Sequence, residues 1–364
     1  MDEEPTQRTS KSRRAVAIGV ALLLASLLPV VAAIVFSCQG LIRSRSQEIY
    51  APVEMDPIPA LPVPDLRKPT GALRIASFNT WHNGGSVDDG VAKILKHLRL
   101  IQPDVLLLQE IHNTYFTGEI LKQLSGDGVW HTSVDSSTDD LVVLSRFPLT
   151  SIGTSAGAMG VKASVPKQNG DRVELTLWNV HLEYRSLGTY AACNVKVSSD
   201  QQILNGEMGR GFSIPSRVEQ TRRVLKAMEG LKGPSILAGD FNSPSHMDWV
   251  DENKDLNCGR AFEWPVTKMV DDNGFIDSYR QLRNDSRASP GHTWSPIYKF
   301  AGPEWGYSIP EPQTRLDYIF YKGPVKSQLY QGSKALLPYP NHKANDWPSD
   351  HALLFTDFVF DDPP

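Results

Sequence analysis

Apolar positions along the chain form runs of three kinds. The first is a stretch from residue 15 to 38 with no charged side chain, built mainly from Ala, Val, Leu and Ile. At about 1.5 Å per helical residue it is long enough to span a hydrocarbon core of about 30 Å. The second kind places apolar residues at helical spacing, as Val87, Val91, Ile94, Leu95, Leu98 and Ile101. Asp88 and Asp89 suit the start of that helix, and Pro103 forbids its continuation. The third kind is a short apolar run that ends in polar residues. Segments 73–81 (LRIASFNTW), 104–112 (DVLLLQEIH), 140–149 (DLVVLSRFPL), 175–185 (LTLWNVHLEYR), 235–244 (SILAGDFNSP), 315–323 (RLDYIFYKG) and 347–354 (WPSDHALL) follow this pattern and predict strands. Ser216 and Glu219 form a capping box that predicts a helix running to about Glu229, stopped by Gly230 and Gly233.

These runs divide the chain into four parts. Arg8, Lys11, Arg13 and Arg14 precede the long apolar stretch, whereas only Arg43 and Arg45 follow closely. This bias predicts a cytosolic tail (1–14), an uncleaved signal anchor (15–38) and a domain outside the cell or in a lumen. A cleaved signal peptide would carry a shorter apolar run of about 7–15 residues. Six prolines between Pro52 and Pro69 predict an extended stalk over 39–70. A catalytic domain is expected over 71–364. Its long segment 184–212 and the segment 303–312 read as loops of functional length.

Charge narrows the partners. Of 37 basic and 41 acidic residues, 8 and 7 respectively lie in the first 70, so the domain carries about −5. That balance does not favour extended nucleic-acid binding, for which phosphate neutralisation supplies most of the affinity. Cys38, Cys193 and Cys258 lack zinc-finger spacing. Cys193 and Cys258 either pair, if the domain is exported, or stay as buried thiols. The sequon at Asn284 is usable only on export. No protein partner can be inferred.

The polar ends of the strand-like runs hold the candidate chemistry. Asn79, Glu110, His181, Asp240, Asn242, Asp317, Asp350 and His351 all sit there. Strand ends converging on one edge can build a rigid polar site. Mg²⁺ prefers oxygen ligands and is often held by one or two carboxylates, a role that suits Glu110 with the Asn79 amide oxygen. Asp240 and Asn242 lie two apart, so on an extended segment they share a face. Histidine titrates near working pH, so His181 and His351 could serve as base and electrostatic acid.

The short motifs FN (78–79), QE (109–110), NVHLE (179–183), GDFNS (239–243), RLDYI (315–319) and SDH (349–351) occur in one order over most of the domain. In this the chain resembles the endonuclease/exonuclease/phosphatase superfamily, which includes DNase I-like nucleases, neutral sphingomyelinases and inositol polyphosphate phosphatases. The resemblance implies an α+β fold, a four-layer α/β/β/α sandwich of two packed, mainly antiparallel sheets. It also implies a Mg²⁺- or Mn²⁺-dependent phosphoric ester hydrolase. Asn79, Glu110 and Asp350 are then expected at the metal, with His181, Asp240, Asn242, Asp317 and His351 as catalytic residues. Asp317 would fix the tautomer of His351, and either Asp240 or His351 would be the general base.

One departure bears on substrate. Some nucleases of this superfamily carry Asp two residues after the first Asn, where this chain has Trp81. Trp81 reads either as core or as an aromatic wall for a head group. Arg185, Tyr190 and Arg210 are candidate substrate contacts. The leading expectation is a membrane-anchored phosphodiesterase, sphingomyelinase-like or directed at a small organophosphate. An exported DNase I-like endonuclease is the alternative, and a non-catalytic binding protein that keeps the fold is an alternative of another class.

Overall fold

The computed structural model describes residues 66–360, apart from 113, 135–137, 139, 168, 194–198, 212, 303–308, 323–324 and 332–334. The apolar stretch 15–38 and most of the proline-rich segment lie outside the described residues. Among those described, no helix is long and apolar enough to cross a membrane. The last residues assigned to the stalk belong to the domain. Leu66 packs on its core, and Lys68 holds both oxygens of Asp104 at 2.8 Å.

Twelve strands among the described residues form two six-stranded sheets. The first runs β11 (Val325–Tyr330), β12 (Leu353–Phe358), β1 (Leu73–Asn79), β2 (Val105–Gln109), β4 (Val142–Ser145), β3 (His131–Val134). The second runs β5 (Leu149–Ser155), β6 (Ala158–Pro166), β7 (Arg172–His181), β8 (Ser235–Asp240), β10 (Asp317–Lys322), β9 (Ile276–Asp277). Each sheet contains one parallel pair, β1 with β2 and β7 with β8; the other pairs are antiparallel.

Alternation explains why the strand runs are apolar throughout. Ile75, Val105 and Leu107 face inward and meet Val161, Leu175, Leu177, Ile236 and Ile319 of the other sheet. Their neighbours Ala76, Phe78, Leu106 and Leu108 face outward against Ile94, Leu95, Leu98 and Ile101 of α1 (Gly90–Ile101) and Phe116, Ile120 and Leu124 of α2 (Thr114–Leu124). On the far side, Trp178, Leu237, Tyr318 and Phe320 meet α5 (Arg217–Met228) and α6 (Pro265–Asp272). A strand buried on both faces carries no polar alternation. The result is the expected four-layer sandwich.

Several elements differ from the sequence reading. The first helix starts at Gly90, and Asp89 caps it with a left-handed backbone and no side-chain bond. The run 140–149 is divided between two strands in different sheets, separated by residues 146–148. Ser216 accepts from the Glu219 N–H, but the Glu219 carboxylate turns to Arg222 and Arg223 instead of back to the cap. The reciprocal box forms at Ser199 and Gln202, opening α4 (Asp200–Glu207). With α3 (Gly188–Cys193), α4 fills much of the segment read as a loop. Cys193 and Cys258 form a disulfide with Cα atoms 5.1 Å apart. Segment 347–352 is a loop, and its strand begins at Leu353.

Candidate active site

Strand direction brings the polar ends to one edge. β1, β7 and β8 deliver their C-terminal residues, Asn79, His181 and Asp240. In register, His181 lies opposite Asp240, and Asp240 opposite Asp317, the first residue of the antiparallel β10. Glu110 follows β2, and Asp350 and His351 precede β12, which is antiparallel to β1. Together with Trp81, Glu183, Tyr184, Arg185 and Trp294, most of these residues line one cleft of about 880 Å³.

Asn79 ties the two halves of the site together. Its amide Nδ2 donates to Glu110 Oε1 at 3.1 Å and to Asp240 Oδ2 at 3.0 Å. Its Oδ1 accepts from the Trp81 N–H at 3.0 Å. Flipping the amide would set N–H groups against each other and oxygen against two carboxylates, so the hydrogen bonds fix its orientation. In this arrangement the Asn79 amide nitrogen bridges the two acids and its oxygen faces the Trp81 N–H. Glu110 itself has a left-handed backbone (φ 60°). Burial pushes its carboxyl up, but His351, His181 and Asn79 outweigh this and hold it below the usual carboxylate range.

Asp240 lies between two imidazoles. Nε2 of His181 and Nε2 of His351 each stand 3.7 Å from Asp240 Oδ2. Nδ1 of His351 donates to Asp317 Oδ2 at 2.9 Å, as the resemblance implied. Nδ1 of His181 pairs with Asp140 Oδ2. Asp140 was not singled out in the sequence, where it reads as the polar start of a strand run. Its only signal was a carboxylate beside a strand that pairs with β2.

The electrostatics follow from burial and these partners. Burial alone would discharge His181, but Asp140, Asp240 and Glu110 raise it to about 9. Burial likewise opposes charge on His351, and Asp317 and Asp240 push it well above the ordinary histidine value. Asp240 is raised to about 6 by burial, with His351 pulling down and Asp317 pushing up. Burial also lifts Asp350 to about 8, aided by Glu110 and Asp240 against the opposing pull of His351. Asp350 Oδ1 and Asp317 Oδ1 are buried without a protein hydrogen-bond partner. Several carboxylates at this edge, two of them pushed up by burial and Asp350 with an orphaned oxygen in the cleft, suit an oxygen-seeking divalent cation.

The other candidates divide. Asn242 is not extended: φ is 47°, its N–H donates to Asp240 Oδ1 at 2.9 Å, and its Nδ2 donates to Leu182 O at 3.1 Å. It steadies Asp240 through an Asx-type turn and still borders the cleft. Trp81 is core, packed on His342 and Tyr298, with an edge at the cleft. Trp294, which no sequence pattern marked, also lines the cleft, its ring tilted 59° to that of His351 with centroids 4.9 Å apart. Arg185 borders the cleft in a bidentate pair with Glu183 at 2.7 and 2.8 Å. Tyr190 borders it and donates to Glu311. Arg210 is exposed and is not among the cleft-lining residues, because α4 carries it past the site.

Known proteins place the chain. Residues 76–351 match the endonuclease/exonuclease/phosphatase family. An uncharacterised Caenorhabditis elegans protein, F14F9.5, is 37% identical over 299 residues, covering 80% of this chain and 92% of its own. Similar solved structures include an endonuclease/exonuclease/phosphatase from Beutenbergia cavernae (18% identity, TM-score 0.47, 80% and 71% of the two chains). The catalytic domain of human Nocturnin is another (17% identity, TM-score 0.46, 81% and 97%). With six motifs gathered at one sheet edge and the family match spanning most of the domain, the chain belongs to the endonuclease/exonuclease/phosphatase family.

Proposed function

We propose that the domain is a Mg²⁺- or Mn²⁺-dependent phosphoester hydrolase acting on a small organophosphate or a phospholipid head group. The observation that carries this reading is Asp240 held between two imidazole rings and joined to Glu110 through the Asn79 amide. Glu110 and Asp350 would hold the cation, which supplies Lewis-acid stabilisation to a phosphoryl oxygen. His181 and His351, both protonated, present two further positive charges to an anionic phosphate. Asp317 and Asp240 push His351 well above the ordinary histidine value, which favours its charged form and makes it the poorer base. Asp240, ionised above about pH 6, is the group able to take a proton from the attacking water. A protonated imidazole then donates to the leaving oxygen. Asp317 and Asp140 hold the two rings by their Nδ1 atoms, so each Nε2 faces the reacting centre.

The cleft lining supports a compact substrate. Apart from histidine, Arg185 is the one basic side chain lining the cleft among the described residues, and Glu183 already pairs with it. A polyanion would meet Glu110, Asp140, Glu183, Asp240 and Asp350 instead. A panel of an aryl phosphodiester, sphingomyelin vesicles, inositol phosphates and plasmid DNA, with and without Mg²⁺, tests the reading. EDTA-sensitive turnover of a small or lipid substrate is expected. Turnover of plasmid DNA alone would favour the endonuclease, and turnover unaffected by Glu110→Ala and His351→Ala would refute the assignment.

The apolar stretch 15–38 is read as a membrane tether with the domain on the non-cytosolic side. The Cys193–Cys258 disulfide supports that side, since such bonds persist in oxidising compartments.

A further inference from the structure

At the outer rim of the cleft, two histidines outside the catalytic set turn toward the same carboxylate. His82 Nδ1 and His112 Nε2 share a hydrogen bond at 2.8 Å, whose proton a bound cation would replace, and His82 Nδ1 lies 3.1 Å from Glu110 Oε2. One atom from each of the three residues fits within a 4.8 Å cluster. Glu110 therefore has two faces: Oε1 toward Asn79 and the buried acids, Oε2 toward the histidines.

Besides the ring-to-ring hydrogen bond, backbone bonds hold this arrangement. Trp81, His82 and Asn83 are successively left-handed, with φ between 48° and 61°. Three consecutive non-glycine residues in that region are costly and persist only where surrounding bonds enforce them. Here the Asn83 N–H donates to Glu110 O at 3.1 Å, and Asn83 Oδ1 accepts from the His112 N–H at 3.0 Å. The His82 N–H donates to Glu110 Oε2 at 3.0 Å. The two loops are stapled together, and the His82 side chain stays 61% exposed.

We propose that His82, His112 and Glu110 form a second metal site, taking a divalent transition cation of the Zn²⁺ class rather than Mg²⁺. Two imidazole nitrogens and one carboxylate suit such an ion, whereas Mg²⁺ prefers an all-oxygen shell. Three protein donors on an exposed rim leave coordination positions open to solvent or substrate. The inference rests on reading Glu110 as a ligand and adds a second ion to it. Glu110 would bridge an inner, oxygen-rich site and an outer, nitrogen-bearing one. A second cation there adds positive charge at the cleft mouth, where a substrate phosphate enters.

Co²⁺ is the probe. The full-length chain, purified in mild detergent and stripped with EDTA, is titrated with CoCl₂ in excess Mg²⁺. Expected are visible d–d bands and two hyperfine-shifted, exchangeable imidazole N–H resonances, a readout that needs no variant. His82→Asn and His112→Gln should each remove one resonance and weaken Co²⁺ binding by about 100-fold, with unchanged thermal unfolding. Asp350→Asn should leave both resonances in place. Absence of imidazole resonances in the wild type, or their survival in both histidine variants, overturns the proposal. Because no substrate is present, a failure of Mg²⁺-dependent hydrolysis is scored separately and leaves this result standing.

Discussion

His181 and His351 do related work by different means. His351 is buried, and burial opposes its charge while Asp317 and Asp240 push it well above the ordinary histidine value. His181, at the edge, depends on Asp140. The pH dependence of kcat/KM separates these roles. Activity should rise as pH passes through about 6, where Asp240 ionises, and fall through about 9, where His181 discharges. Asp140→Asn should move the alkaline limb to lower pH and leave the acid limb in place. A purely structural defect would lower the whole profile without shifting a limb. The same linkage acts on stability. His181 titrates higher folded than unfolded, so its contribution is complete below about 6.5 and is lost as pH rises through about 9.

At the scale of elements, the site is a consequence of register. Gly239 shows how tightly that register is held. Its φ is +141°, and a Cβ there would meet Val180 O of the parallel neighbour at 2.0 Å. Gly239→Ala should cost about 2–4 kcal/mol of stability, measured by chemical denaturation, and displace Asp240 with it. A neutral substitution would contradict the strand pairing described. This also explains what was legible in the sequence. Strands buried on both faces announce themselves as apolar runs, and their polar ends name the site, so Glu110, His181, Asp240, Asp317 and His351 could be read directly. Strands β5 and β6 carry Gly, Ser and Lys on their exposed faces and leave no such run. Helices α3 and α4 were hidden because tertiary contacts, including the disulfide and the buried Arg217–Glu207 pair, fix a segment whose local pattern is weak. Asp140 and Trp294 reach the site from neighbouring segments, and nothing in their local sequence encodes that approach. Asn79 was legible as a site residue, but its hydrogen bonds to Glu110, Asp240 and the Trp81 N–H were not, because they depend on distant segments.

For the whole molecule, the disulfide and the proposed tether belong together. Cys193 and Cys258 are 65 residues apart in sequence. Their bond joins the α3 segment beside the cleft to the loop after Trp249. Cys193→Ser should destabilise the domain by about 2–4 kcal/mol. The matching test of topology is protease protection in sealed microsomes, where the domain should be shielded. Glycan addition at the exposed Asn284, abolished by Asn284→Gln, should accompany it. A domain fully open to protease and unglycosylated would contradict export.

The central claim is that groups from both sheets act as a single cation-dependent hydrolytic centre, with Asp240 receiving the proton. The most direct measurement is single-turnover cleavage of an aryl phosphodiester by the EDTA-stripped full-length protein, before and after Mg²⁺ addition, for the wild type and Asp240→Asn. The account predicts recovery on Mg²⁺ addition in the wild type and a rate lower by about 10²- to 10⁴-fold in the variant. Equal rates in the two proteins, or cleavage indifferent to EDTA and Mg²⁺, would contradict it.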